Sequence, residues 1–316
     1  MSFHAIGGTT YFIAVDGFSA GQAGNIALMW THTTEQGTAG LGASILPYAR
    51  SVQVGTPATA FANIINVSGS TAIGCYLQMP AGSALAGTFS YQTADAGNRL
   101  IGAPNIPIDI PNNAIQNFVF GFTPSQPFTS TDIPIVFDCE NKTPVATSVG
   151  VNTFLLAASS TPSPDLVAIA ATVSGDGIVR LPSASGTHFF ATAAVNLGSA
   201  DQITASVDDG GSGLPLSMTI CQTNPTTGAC INPGSPAALT ATTIANNQVV
   251  TYAIFVQALG QVAFDPGGNR LFLRLQDSGG VTRGATHVAV CTGGNCPAAD
   301  PPPPAGSAAP AAASLP

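Results

Sequence analysis

The sequence predicts an all-β protein built from two β-sandwiches in tandem, and three observations carry that prediction. Straight-chain helix formers are scarce: the 316 residues include one lysine, Lys142, and two glutamates, Glu35 and Glu140. Only 7% of the residues are charged, against about 25% in an ordinary soluble domain. In their place stand Gly, Pro, Thr, Ser and Asn, which break helices or favour turns and strands. The third observation is a repeat. Phe61-Ala62, Asn66 and Gly69-Ser70 return as Phe190-Ala191, Asn196 and Gly198-Ser199, Gln92-Thr93 as Gln222-Thr223, and Asn112-Asn113 as Asn246-Asn247. The offset between the copies grows by a few residues along the chain, as loops that gained residues would make it. A repeat of domain size implies two copies of one fold strung in a line, not one large core.

In chain order, Thr10-Tyr11-Phe12-Ile13-Ala14-Val15 reads as a strand, Asp16-Gly17 as a turn, and Asn25 to Trp30 as a returning strand. Together they form an N-terminal β-hairpin, and a lone hairpin is marginal in water, so it must pack on a neighbour. In the first copy, strands are expected near 49–54, 59–66, 72–78, 87–92, 115–122, 133–138 and 151–158. Turns such as Gly69-Ser70, Pro80-Ala81-Gly82 and Pro111-Asn112-Asn113 separate them. Short strands at that spacing are the pattern of an immunoglobulin-like sandwich, and Cys75 and Cys139 then fall on strands of facing sheets. The buried tryptophan of antibody domains is missing, since the single Trp30 lies outside this copy. Ser159 to Pro164 reads as a stiff, extended linker. The second copy opens at Pro164-Asp165-Leu166, with strands expected near 188–195, 201–207, 215–221, 250–257, 270–276 and 284–291. After Cys296 the run Pro301–Pro304 and an Ala/Ser/Pro stretch cannot build a core, and a disordered tail or linker is expected. The expected organisation is thus the hairpin within 1–33, one immunoglobulin-like domain at 34–160, a second at 161–293, and a Pro/Ala-rich tail at 294–316.

Two resemblances bear on this layout. The run Tyr11-x-Ile13-Ala14-Val15-Asp16-Gly17, followed by Gly24-Asn25-x-x-Leu28-x-Trp30, resembles the closing strands of the prepeptidase C-terminal domain, a β-sandwich appendage of secreted bacterial proteins. It covers about 20 residues and implies that most of such a domain lies upstream of Met1, so that the chain is a fragment. The start Pro164-Asp165-Leu166-Val167-Ala168, with the turn Asn196-x-Gly198, resembles the CARDB and related immunoglobulin-like adhesion modules of bacterial surface proteins. It spans residues 164–200 and implies a surface-exposed, non-catalytic module.

The six cysteines are Cys75, Cys139, Cys221, Cys230, Cys291 and Cys296, and six allow fifteen pairings. The repeat narrows these. The second-copy positions matching Cys75 and Cys139 fall near Thr204–Ala205 and Leu275–Gln276, without cysteine. The first-copy positions matching Cys221 and Cys230 fall near Tyr91 and Leu100–Ile101, again without cysteine. Cysteines that come and go together behave as pairs, so the expected disulfides are Cys75–Cys139, Cys221–Cys230 and Cys291–Cys296. The rival reading is metal binding, but Cys291 and Cys296 are not spaced as a Cys-x-x-Cys knuckle, and zinc needs four ligands in compact pairs. Disulfides place the chain in an oxidising compartment, secreted or at the cell surface.

A net charge of −8 with seven scattered basic residues cannot neutralise a run of phosphates, which argues against nucleic acid as a partner and against an anionic membrane surface. No stretch reaches the roughly 18 apolar residues of a membrane span, and residues 1–15 lack the features of a signal peptide. His4, His32, His188 and His287 lie in no nucleophile or metalloprotease pattern. Asp208-Asp209-Gly210-Gly211 is the densest acidic cluster and a weak Ca²⁺ candidate, read more simply as an acidic turn. Asp132, Asp138 and Asp265 do not form a pair placed for acid–base work. Asn66-Val67-Ser68 and Asn141-Lys142-Thr143 fit the glycosylation triplet.

The expected function is therefore a non-catalytic structural or adhesive module of a secreted or cell-surface bacterial protein, self-assembling or pairing with other surface proteins, with no enzyme activity and no cofactor. One alternative is a set of accessory domains of a larger secreted hydrolase. Another is a carbohydrate-binding module in which exposed Tyr48, Tyr76, Tyr91 or Tyr252 stacks on a glycan.

Overall fold

The computed structural model describes residues 40–299. The expected hairpin at 10–30, His4, His32, Trp30 and the Pro/Ala-rich run beyond 299 lie outside the described residues. Within them the fold is an all-β sandwich architecture without an α-helix, its one helical turn being a 3₁₀ turn at Gly293–Asn295.

In the first module one antiparallel sheet runs in the order β1 (Leu41–Leu46), β3 (Ala58–Asn66), β7 (Ile115–Pro124), β5 (Gly87–Ala94). Facing it are β2 (Ala49–Gln53), β10 (Phe154–Ser159) and β8 (Phe128–Ile133) in one group, and β6 (Ile108–Ile110), β4 (Ala72–Gln78) and β9 (Val136–Asp138) in another. The break between β8 and β9 falls at Pro134, whose ring nitrogen has no hydrogen to give to a ladder. In the second module the first sheet runs β11 (Leu166–Ala171), β13 (Thr187–Asn196), β18 (Val249–Ala258), β15 (Leu216–Thr223), β16 (Cys230–Ala237). The facing sheet is unbroken: β12 (Ile178–Leu181), β20 (Thr282–Thr292), β19 (Arg270–Gln276), β14 (Asp201–Asp208), β17 (Leu239–Ile244). Strand for strand, β2-β10-(β8/β9)-β4-β6 runs in the same order as β12-β20-β19-β14-β17.

The residues dictate which face is inside. In β3 the small and branched Ala58, Ala60, Ala62 and Ile64 are buried, while Phe61 and Ile65 between them point outward. In β7 Phe118, Phe120 and Phe122 take the inner positions by the same period of two. Phe137 and Phe154 from the facing strands close that core, and Phe120 meets Phe154 edge-on at 5.2 Å. The second core packs Phe190, Tyr252, Ile254 and Val256 against Leu271, Leu273, Leu275, Val288 and Val290. The strands outside the ranges expected from the sequence are β1, β6, β8, β11, β12, β16 and β17, all at the edges of their sheets. β16 carries two prolines and a glycine, which only an edge tolerates.

The residues shared by the two copies build one corner twice. Asn66 is fully buried at the end of β3; its amide donates to the carbonyls of Ser70 (2.9 Å) and Ile110 (2.8 Å), and its Oδ1 accepts from the Ser68 N–H (3.0 Å). Asn196 at the end of β13 is equally buried. It donates to Ser199 (2.8 Å) and Ile244 (3.1 Å) and accepts from the Gly198 N–H (3.0 Å). The backbone oxygens of Asn66 and Asn196 accept from Asn113 and Asn247, both in the left-handed region at φ 61° and 59°, a conformation that asparagine tolerates better than most residues. The recurring pairs are thus hydrogen-bonded plugs of a turn. Asn66 is also inaccessible as a glycosylation acceptor.

The disulfides are Cys75–Cys139, Cys221–Cys230 and Cys291–Cys296. Cys75 and Cys139 do not bridge facing sheets, as the immunoglobulin-like reading expects. They are one step beyond the antiparallel pair Tyr76↔Asp138 and so lie across neighbouring strands of one sheet, with Cα atoms 4.0 Å apart. Cys221–Cys230 staples the β15–β16 edge, and Cys291–Cys296 pins the 3₁₀ turn after β20.

Candidate functional site

The two modules are not merely strung in a line. Tyr48 and Ala49 of β2 and its approach, Leu155 of β10, Phe272 of β19 and Ala285 of β20 form a third small core between them. Close approach depends on glycine: a Cβ on Gly150 of the first module would fall 2.7 Å from the His287 ring and 2.9 Å from the Phe272 ring of the second. The linker is held by hydrogen bonds, Ser159 Oγ donating to Ser163 Oγ (2.9 Å) and Ser199 N–H to Ser163 O (3.1 Å).

Polar groups lock this junction. Asp165, at the start of the second module, is buried beside Arg50 of β2. The guanidinium donates through Nη2 at 2.8 Å and Nε at 3.1–3.2 Å, and the Ser51 N–H adds a bond of 2.9 Å to the same carboxylate. Arg283 of β20 reaches Ser51 Oγ at 3.0 Å while holding Asp277 at 2.7 Å. Tyr48 donates its hydroxyl to Asp132 Oδ2 at 2.8 Å; burial, with Asp132 beside it, pushes that phenol well above its ordinary range, so it stays a donor.

His287 sits at the centre. Its Nδ1 faces the Arg270 Nε (3.0 Å) and Nη2 (2.6 Å), and its Nε2 faces the Gly150 carbonyl of the first module. Arginine only donates, so Nδ1 accepts and the ring proton lies on Nε2, donating to Gly150. The Tyr48 ring packs edge-on at 5.2 Å. Burial, and then the Arg270 charge, bring the His287 pKa down to about 3. The unfolded imidazole titrates near pH 6.5, so between about pH 6.5 and 3 the unfolded chain binds a proton that the native chain refuses. This contribution is fully present above pH 6.5 and is lost as pH falls toward 3. Urea titrations at pH 7, 5 and 4 are therefore expected to show stability falling by on the order of a few kcal/mol, with His287→Gln removing most of that slope.

Beside His287 the junction opens into a cleft of about 490 Å³, lined on one side by Thr147, Ser148 and Val149 and on the other by residues that include Gly210, Ser212, Asp265 and Arg270. Ser148 Oγ donates to Gly267 O (2.9 Å) and Ser212 Oγ to Gly268 O (3.3 Å), which fixes both rims.

The acidic turn has little left to offer a cation. Asp208 holds Arg274 (Nη2–Oδ1 3.2 Å, Nε–Oδ2 2.5 Å) and accepts from the Gly210 N–H at 2.8 Å. Asp209 accepts from Gly211 (3.0 Å) and Leu214 (2.7 Å). The tyrosines proposed to stack on sugars are placed differently from that expectation. Tyr48, Tyr91 and Tyr252 are buried, and Tyr76 is half-buried with its hydroxyl on Asp138 at 3.2 Å. Tyr91 and Tyr252 are on inner faces of strands and Tyr48 is in the junction. His188 is half-buried and stacks on Phe189 at 5.8 Å.

A second feature is the distribution of charge. Among the described residues, every Asp, Arg, Lys or Glu that lies in a strand belongs to the sheets containing β2, β4 and β12, whereas β1-β3-β7-β5 and β11-β13-β18-β15-β16 have none. The outer faces of these two sheets carry apolar side chains in cross-strand register: exposed Leu46 beside Phe61 and Ile65 beside Ile115, and exposed Phe189 and Val249 beside the half-buried Phe255 and Val195. The low charge is legible in the sequence, but its segregation is not, because it depends on which strands share a sheet. It missed the junction too, because Arg50 and Asp165, or Gly150 and His287, lie far apart in the chain.

Comparison with known protein families finds no match, and neither does comparison with curated proteins. Among solved structures, the chain is similar to the Yersinia pseudotuberculosis adhesin InvE at 8% identity and a TM-score of 0.24, covering 79% of this chain and 58% of that one. A likeness at that level carries no argument about function.

Proposed function

We propose that the chain is a non-catalytic structural or adhesive unit of a secreted or cell-surface protein, of immunoglobulin-like type, acting through the charge-free faces of its two outer sheets. The observation that carries this reading is the segregation of charge. Sheets of soluble proteins ordinarily protect themselves with charged side chains, and contiguous exposed apolar surface marks contact sites. Here the rows Phe61–Val119, Ile65–Ile115 and Phe189–Phe255 stand on such faces without an Asp, Glu, Lys or Arg in any strand of their sheets, His188 beside Phe189 being the one imidazole there. The three disulfides support an oxidising compartment. The interlocked junction suits a part that holds two faces in fixed relation. The glycan-stacking alternative loses its support with the burial of Tyr48, Tyr91 and Tyr252.

Sedimentation velocity across a concentration series tests the proposal. The unaltered chain is expected to associate as concentration rises, and Phe61→Lys with Phe189→Lys is expected to hold it monomeric at the same melting temperature. A chain that stays monomeric throughout and binds no cell-surface material removes the basis for the reading.

A further inference from the structure

We propose that the cleft at the module junction is a binding site for a small carboxylate-bearing ligand, with the Arg270 guanidinium as its anchor. This does not depend on the adhesive role of the sheet faces.

Among the described residues Arg270 is a cation without a counter-ion. The ion pairs among the described residues take Arg50, Arg180, Arg274 and Arg283, and Arg270 is in none of them. Its neighbours are neutral: Nε and Nη2 donate to His287 Nδ1, and Nη1 donates to the Pro266 carbonyl. Burial has lowered its pKa to about 10, which leaves it charged at neutral pH. A guanidinium carries five N–H donors. His287 and Pro266 occupy three, one each on Nε, Nη2 and Nη1, so two remain on the Nη atoms. Two donors on one planar fork match the two oxygens of a carboxylate. His287 holds the fork in place from behind and is itself fixed by Gly150 of the first module.

The opposite wall limits what the carboxylate is attached to. Asp265 lines the same cleft, and its Oδ1 is held by the N–H groups of Gly267 (3.1 Å) and Gly268 (3.0 Å). It remains an acceptor for a hydroxyl or ammonium on the ligand. The hydroxyls of Ser148 and Ser212 are donated to Gly267 and Gly268, so each oxygen retains acceptor capacity for a ligand donor. The chemistry is therefore a carboxylate flanked by hydrogen-bond donors. A hexuronate and a free α-amino acid both have it. The volume, about 490 Å³, suits a monosaccharide-sized ligand.

The test is a titration of the ¹⁵N-labelled chain at pH 7 with sodium glucuronate, glycine and glucose, read on the amides of Gly210, Gly267 and Gly268. Saturable shifts with glucuronate or glycine, with a dissociation constant in the millimolar range, and none with glucose, are expected. A response to glucuronate alone assigns an acidic sugar, and one to glycine alone an amino acid. Arg270→Gln keeps a donor for His287 but loses the charge, and Ser212→Trp fills the cleft without touching Arg270. Each is expected to weaken binding at least tenfold. No saturable shift with either acid, an equal response to glucose, or binding undiminished in a folded Ser212→Trp chain would overturn the proposal.

Discussion

Asp165→Ala is expected to lower the unfolding free energy by about 3–5 kcal/mol, the range found when one member of a buried ion pair is removed. The cost does not measure the pair's net worth. It arises because the Arg50 charge and the Ser51 N–H remain at the junction without the carboxylate, Arg50 keeping only the neutral Thr59 oxygens on Nη1. Two consequences separate this account from a general loss of packing. Replacing both partners by apolar residues, Arg50→Met with Asp165→Leu, is expected to recover much of the loss. In Asp165→Ala the single unfolding transition is expected to split in two, since the third core between the modules rests on few residues and each sandwich has its own core. Denaturation followed by circular dichroism and by tyrosine fluorescence, Tyr48 lying at the junction, reads both effects.

The corner asparagines give the second large effect. Asn66→Ala and Asn196→Ala each strand one buried carbonyl, that of Ile110 or Ile244, and remove the side-chain partner of a half-buried N–H and of a second carbonyl. Unsatisfied buried groups cost about 1–3 kcal/mol apiece, so a loss of about 2–3 kcal/mol is expected at either position. The two are not equal. Asn196 Oδ1 also accepts from the Asp165 N–H at 3.1 Å, which ties the corner of the second module to the junction. Asn196→Ala is therefore expected to destabilise more and to loosen the junction, and Asn66→Ala only its own module. Equal losses with unchanged cooperativity would mean that the corner and the junction are independent.

These two effects show what the chain's order of residues makes legible. The recurrence of Asn66 and Asn196 was visible as spelling, and the strand–turn rhythm around it was enough for an all-β sandwich. What the asparagines do was not visible, because Ile110 and Ile244, whose carbonyls they bind, are distant in sequence. Edge strands such as β16 escaped because prolines and glycine mask the alternation that marks a strand. The same distance problem hid the junction. Tyr48, Arg270 and His287 each look unremarkable in their own strand, and their meaning comes from Asp132, the Pro266 carbonyl and Gly150 brought beside them. Tyr91 and Tyr252 were misplaced as exposed because the polar tip of a tyrosine says little about whether its ring is on the inner row. Tyr252 fills the second core, and its pKa is raised by burial alone.

The most direct test of the contact role assigned to the sheet faces is hydroxyl-radical footprinting of the native chain in dilute and concentrated solution, read by mass spectrometry at single residues. Phe61, Ile65, Phe189 and Val249 are exposed on the charge-free faces, whereas Leu100, Val173 and Leu259 are exposed elsewhere. The account predicts that oxidation of the first group falls as concentration rises while that of the second does not change. Equal labelling of both groups at every concentration, with the chain associated, would place the contacts elsewhere and contradict it.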